Sequence, residues 1–178
     1  MPSNKETALA KQILTAGDFR EHVIAKALDG ADFGAILLDC APSLDVLHVA
    51  ALVASDSLLA PVKLDHLGLA GVLELISSLA EVKRAGCDCE LLGILPTFFD
   101  RVTAETRAQH DVLQEHFAKW LLPPIPVDTS LREAPSFGLT IWQHAPSSRA
   151  VMGIEMNGGR CGGYADLVGR VERIVRHG

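Results

Sequence analysis

The chain has 178 residues, 48% of them hydrophobic and 21% charged, a composition that suits one globular domain with a real core. A formal net charge of −6 argues against a protein that binds nucleic acid chiefly by overall electrostatics, though it leaves room for a local basic patch. The longest apolar stretch, Leu44–Val62, is interrupted by Asp56 and is no membrane span, the first residues have no signal-peptide core, and the cysteines at 40, 87, 89 and 161 form no disulfide framework, which together fit a reduced, cytoplasmic setting.

In chain order, Lys5–Leu14 reads as a helix with Leu9, Ile13 and Leu14 on one face, broken at Gly17. Asp18 with Glu21 predicts a capping box for a second helix, whose apolar stripe is Phe19, Val23, Ile24, Ala27 and Leu28 and which Gly30 ends. Ala35–Leu38 is short, wholly apolar and lacks period-two alternation, the pattern of a buried parallel strand. It ends on Asp39, followed by Cys40, Ala41, Pro42 and Ser43. Ligands of open α/β sheets sit beyond the carboxyl ends of strands, so a carboxylate there is placed to hold Mg²⁺ beside a phosphate. The same residues also make an ordinary strand end with an acid in an exposed turn.

Leu44–Ala54 predicts a short helix, Ser57–Val62 a second strand, and Asp65 the N-cap of a helix with Leu69, Val72, Leu73, Ile76, Leu79 and Ala80 at helical spacing. Leu91–Leu95 predicts a third strand, Thr103 opens a helix bearing Val112, Leu113, Phe117 and Trp120, and Pro123–Val127 predicts a fourth, short strand. Ser130 with Glu133 reads as a capping box for a helix of about one turn before Pro135 and Gly138. Leu139–Trp142 predicts a last short strand, Asn157-Gly158 a hairpin turn, and Tyr164–Val175 a closing helix. Strands alternating with helices mean an α/β domain with a mainly parallel sheet flanked by helices, here read as a single domain over 1–178.

Five stretches, taken together and in order, carry a resemblance. FGAILLDCAPSL is similar to a strand and switch of the form YDxIIIDxPPSL, and SDSLLAPVKLDHLGLAGVLEL to ADxVLIPVxxExxALxGLxxL. LLGILPTFFDRVT is similar to GILLTMYDxRT, PPIPVDTSLREAPSFGLTI to xxIPRNVRLSEAPSxGxPI, and APSSRA with GGYADLVGRV to DPxSxGAxAYxxLAxEV. The chain resembles the ParA/Soj/MinD family, the deviant-Walker-A ATPases of plasmid and chromosome partition, from about Asp32 to Val175. The resemblance implies a three-layer, P-loop NTPase-like fold, with ATP and Mg²⁺ as cofactors. It implies Asp39 as the Walker B carboxylate that organises Mg²⁺ through water, and Pro42 and Ser43 as part of the γ-phosphate switch. Pro126, Val127 and Asp128 would line the nucleotide's adenine side, with Ser130–Gly138 beside them. The partners implied are a second ParA-like chain, paired as a dimer around ATP, and a ParB-like protein that stimulates hydrolysis.

The sequence departs from the family in three places. No GxxxxGK[ST] occurs, so the backbone N–H cradle, the lysine and the Mg²⁺-binding hydroxyl of the phosphate loop have no counterpart. Only 38 residues precede Asp39, fewer than the several βα units expected there at roughly 30 residues per βαβ. A truncated gene product, a misplaced start site, or half of a pair with another chain all fit this. Unaided Mg-ATP binding is expected to be weak, and Ala35–Leu38 to present an unpaired apolar edge. Two arginines that family members use on DNA are replaced by Val102 and Ser130, with Arg101 and Arg132 next to them as candidate DNA contacts. Met152–Gly163 reads as an inserted hairpin of unassigned role.

Other chemistry reads as weaker. Cys87 and Cys89 lack zinc spacing, Cys40 has no histidine partner, and the histidines form no HExxH-like pattern. Arg170, Arg173 and Arg176, interleaved with Asp166 and Glu172, read as a solvated helix face, and a membrane-binding terminal helix of the MinD type ranks low.

Overall fold

The computed structural model describes residues 20–41, 45–156 and 158–177. A 3₁₀ turn at Arg20–His22 leads into α1 (Val23–Leu28), and α2 (Val46–Val53) follows. Next come β1 (Ser57–Lys63), α3 (His66–Arg84), β2 (Glu90–Thr97) and α4 (Ala104–Phe117). The remainder is α5 (Ser130–Glu133), a 3₁₀ turn at Ala134–Phe137, α6 (Ile141–His144), α7 (Arg149–Met152), the hairpin β3 (Ile154–Met156) and β4 (Gly159–Cys161), and α8 (Gly163–His177). The chain divides into two compact units, one running up to Leu58 and including Glu74–Glu90, the other made of Leu59–Leu73 and the residues from Leu91 onward.

In the first unit, α2 begins where Asp45 accepts the N–H groups of Leu47 (2.9 Å) and His48 (3.3 Å), which satisfies two donors of the first turn. α2 packs against α1 and the turn before it. Ala50, Ala51 and Leu52 are buried here, as are Leu79, Val82 and Cys89. The Cys87 thiol donates to the Leu52 carbonyl at 3.4 Å, and the Glu90 N–H to the Asp56 carbonyl at 3.0 Å.

The second unit is built on β2, whose residues Gly93–Pro96 are all buried, the mark of a strand covered on both faces. β1 pairs with it, and Thr97 donates its hydroxyl to the Val62 carbonyl at 3.1 Å. Along the other side of β2 the chain from Trp120 to Val127 runs parallel. Ile94 N–H donates to Trp120 O, Leu122 N–H to Ile94 O, Ile125 N–H to Pro96 O and Val127 N–H to Phe99 O, all at 2.8–3.0 Å. This is the fourth strand expected at Pro123–Val127, but only isolated bridges form, at Ile94–Leu121 and Phe99–Pro126. Prolines at 123, 124 and 126 have no N–H to donate, so a regular ladder cannot close. Ile94, Leu95, Phe99, Leu113, Ile125, Ala134, Ala150 and Val151 form this unit's core, and α7 packs against α8.

Several local expectations change. Ala35–Leu38 is not a strand: residues 35–41 are irregular and exposed, and no ladder holds them among the described residues. A run apolar enough for a sheet centre has no paired neighbour among the described residues. Leu139–Trp142 is not a strand either, because Thr140 caps α6, its hydroxyl accepting the Gln143 N–H while the Gln143 side chain accepts the Thr140 N–H. The capping box read at Ser130 and Glu133 does not form; Asp128 accepts the Ser130 N–H at 3.0 Å instead. On α3, Leu73 and Ala80 face outward, while Val72, Leu79 and Val82 are buried. The Lys5–Leu14 helix and the Asp18 cap lie outside the described residues.

Candidate functional site

Asp39 lies in the irregular segment 31–41 and is exposed. Pro42 and Ser43 lie outside the described residues. Next to Asp39, the Cys40 thiol is held above its ordinary value by burial, with the nearby Asp39 and Asp45 carboxylates adding to the effect.

Pro126, Val127 and Asp128 come together at the end of the strand-like segment beside β2. Pro126 is buried and bridges to Phe99, while Val127 donates its N–H to the Phe99 carbonyl. The Asp128 carboxylate is fully engaged: Oδ1 accepts the Ser130 N–H and Oδ2 the Ala150 N–H, at 3.0 and 3.1 Å. Burial pushes this acid upward, but the two N–H groups, the Ser130 hydroxyl and the Arg149 charge outweigh it and hold the acid below the usual carboxylate range. Asp128 therefore fixes the start of α5 against α7.

The LREAPSFG stretch beyond Asp128 folds as α5, the 3₁₀ turn and a left-handed cap at Gly138 (φ 67°). Phe137 stacks on His144, with ring centroids 5.2 Å apart, and His144 Nε2 lies 3.5 Å from a Glu133 carboxylate oxygen. Arg132 is exposed on α5.

Arg101 sits where the chain leaves β2. Its Nη1 donates to the Glu155 carbonyl at 2.7 Å, which ties it to the β3–β4 hairpin. Arg107 donates to the carbonyls of Arg101 and Val102. With Phe99, His110 and Asp111 these arginines line an open depression of about 390 Å³. Phe99 and His110 rings lie 5.3 Å apart, and burial lowers the His110 pKa against the pull of Asp111. Asp100 takes both local donors, the Val102 N–H and the Thr103 hydroxyl, and the Thr103 side chain makes no cap bond to α4. Phe98 is exposed and adopts a left-handed φ of 52°, a conformation that costs about 1 kcal/mol or more in a residue with a Cβ. Sequence reasoning missed this feature, and nothing in the residue type signals it.

Among the described residues no group of three or more histidines, cysteines or acids could hold a metal ion. Asp39 alone offers an exposed carboxylate at a candidate position. Among the described residues no helix is long and apolar enough to cross a membrane.

A protein-family model described as an AAA domain matches residues 1–91. The chromosome-partitioning ATPase Soj of Thermus thermophilus is 40% identical over 130 residues, which are 70% of this chain and 51% of Soj. The chain belongs to the ParA/Soj/MinD family. The crystal structure of cobyrinic acid a,c-diamide synthase from Mycobacterium smegmatis, with bound ATP analogue and magnesium, is similar at a TM-score of 0.62 and 30% identity, covering 80% of this chain and 62% of that one. Apo McdA from Cyanothece matches with a TM-score of 0.72 over 80% of this chain and 60% of its own, at 17% identity, a likeness of fold alone. The fold is thus α/β, as the alternation of elements implies, and P-loop NTPase-like, as the family resemblance implies. This chain spans about half the length of Soj and about three fifths of the similar solved structures.

Proposed function

We propose that the chain is part of a ParA-like ATPase of chromosome or plasmid partitioning, and that by itself it binds and hydrolyses ATP poorly. The observation that carries this reading is the 40% identity to the Soj ATPase over 130 residues, in a sequence that has the family's LREAPSFG stretch but no GxxxxGK[ST]. Phosphoryl transfer depends almost wholly on positioning and charge stabilisation, and those are the contributions of the phosphate loop. Asp39 is the residue to which this reading gives Mg²⁺ through water, with Pro42 and Ser43 as the switch. Pro126 and Val127 border the nucleotide, and Asp128 acts on it indirectly by fixing α5. Arg101 and Arg132 are the candidate DNA contacts. Arg132 is the better placed of the two, because one Arg101 nitrogen is already bound to Glu155. The partners in this reading are a second ParA-like chain and a ParB-like protein, in the cytoplasm or on the nucleoid.

A second reading is a non-catalytic protein that pairs with a full-length ParA-like partner and regulates it. Size-exclusion chromatography of the chain mixed with a full-length relative, with and without Mg-ATP, tests the regulatory reading. A stable mixed complex supports it, and two separate peaks under both conditions contradict it. ATP turnover by the chain alone, with and without DNA, tests the first reading: turnover at the level of a full-length relative contradicts the expected impairment.

A further inference from the structure

Cys87 and Cys89 stand two residues apart where the chain passes from α3 to β2. Gly86 turns the chain after α3 at a left-handed φ of 95°, and the Cys87 N–H closes that turn on the Val82 carbonyl at 3.2 Å. The Glu90 N–H is held by the Asp56 carbonyl at 3.0 Å, so the backbone is anchored on both sides of the pair. Burial alternates over these four residues: Cys87 is half-buried, Asp88 exposed, Cys89 only 1% exposed and Glu90 exposed. Both thiols therefore face inward, with Asp88 outward between them. Two residues of chain span at most about 7 Å, which bounds the separation of the two Cα atoms. Cys89 feels its neighbour: burial pushes its thiol up to about 11, and Cys87 adds to the rise while Lys83 opposes it.

The donor set narrows the ligand. Among the described residues no group of three or more histidines, cysteines or acids could hold a metal ion, so these residues do not offer the four ligands of a structural zinc site. Hard cations such as Mg²⁺ and Ca²⁺ take oxygen ligands, whereas two thiolates suit a soft cation such as Cu(I). Two thiolate–metal bonds of about 2.3 Å each, as in zinc sites, set the sulfurs about 4.6 Å apart, a span that two inward side chains two residues apart can reach. A monovalent cation between two thiolates leaves one negative charge, and Lys83, whose charge already acts on Cys89, offsets it. Half-buried Cys87 gives the way in. Its thiol donates to the Leu52 carbonyl at 3.4 Å; on ionising it gives up that bond, and the carbonyl keeps the Ser55 N–H at 3.3 Å.

We propose that Cys87 and Cys89 form a two-thiolate site for a soft monovalent cation of the Cu(I) type, set between the end of α2 and the start of β2. Binding releases one proton from each thiol and changes no oxidation state. The site is independent of the nucleotide reading.

The probe is Cu(I), delivered as its bicinchoninate complex to the reduced 178-residue chain under argon. The chain is expected to withdraw one equivalent from the chelator, with two sulfur neighbours around the metal in X-ray absorption. Cys87→Ser is expected to lower the affinity by at least the roughly 10–100-fold that loss of an outer-shell partner costs, and Cys40→Ser to leave it unchanged. No withdrawal of Cu(I) overturns the proposal. So does equal weakening by Cys40→Ser and Cys87→Ser, which would place the ion on the exposed thiol. Cys89 is buried, so a variant there tests the fold as well as the site, and alkylation gives a second readout on the unaltered chain. One equivalent of Cu(I) is expected to slow the reaction of Cys87 with iodoacetamide while Cys40 stays reactive, read by peptide mass mapping. Cys87 reacting equally with and without Cu(I), or protection of Cys40 in its place, contradicts the site.

Discussion

The Asp128 carboxylate accepts the Ala150 N–H at 3.1 Å across 22 residues of sequence, while its other oxygen holds Ser130. One acid thus sets the start of the LREAPSFG segment and anchors α7. Replacing it with alanine leaves two N–H groups without their charged acceptor, and hydrogen bonds to charged groups contribute about 1.5–3 kcal/mol each. Asp128→Ala is expected to lower unfolding stability by about 2–4 kcal/mol, measured by urea denaturation, and Asp128→Asn by less. Because its folded pKa is depressed from 3.8, its contribution is complete above that value and is lost as pH falls through the lower folded value. Equal stability of wild type and Asp128→Ala at neutral pH contradicts this role.

Gly162 carries a left-handed φ of 76°, and a Cβ there would lie 2.3 Å from the Pro124 carbonyl oxygen. That close approach seats β4 against the segment beside β2. Gly162→Ala is expected to cost at least about 2 kcal/mol, from strain and forced displacement together. Gly158→Ala, at φ 84° with open space around it, is expected to cost only about 1 kcal/mol from conformation. Thermal melts of the two variants compare them, and similar losses would refute the packing argument.

His48 lies in the first turn of α2 with its Nε2 buried and unpartnered among the described residues. Burial lowers its pKa below 6.5, outweighing the attraction of Asp45. A depressed base favours the unfolded state once that state takes up the proton, so this contribution to stability is full above 6.5 and lost as pH falls below it. Denaturation midpoints are expected to drop less in His48→Leu than in wild type between about pH 7 and about pH 5. Parallel pH profiles would show that His48 does not titrate in this way.

Cys40 is exposed, whereas Cys89 is buried and burial pushes its thiol up to about 11. Iodoacetamide on the native protein near pH 8 is expected to modify Cys40 before Cys89, since only the thiolate reacts. Peptide mapping by mass spectrometry reads the order. Modification of both at one rate would mean that the site of Cys89 opens readily.

Much of the fold is legible in the sequence because its signals are local. Asp65 accepts the Gly68 N–H at the start of α3 as its residue type predicts, and Gly158 lies between β3 and β4 where a hairpin is expected, Asn157 itself lying outside the described residues. What failed depends on tertiary partners or on competing caps. Ala35–Leu38 has the composition of a central strand, but a strand exists only with a neighbour. Leu139–Trp142 has strand-like residues, yet Thr140 and Gln143 stand at capping-box spacing and win the contest for the backbone. Ser130 and Glu133 have the same spacing and lose, because Asp128 reaches the Ser130 N–H first. Of the candidate site, the roles given to Asp39 and Pro126 rest on the family resemblance alone. The engagement of Arg101 with Glu155 was not readable, because it depends on where the hairpin packs.

Isothermal titration of Mg-ATP into the folded, monodisperse 178-residue chain tests the central claim most directly, with Asp39→Ala as its control. The account predicts no saturable heat in the micromolar range for either protein. Saturable micromolar binding by the wild type, lost in Asp39→Ala, would contradict it by showing that this chain builds a complete phosphate site of its own.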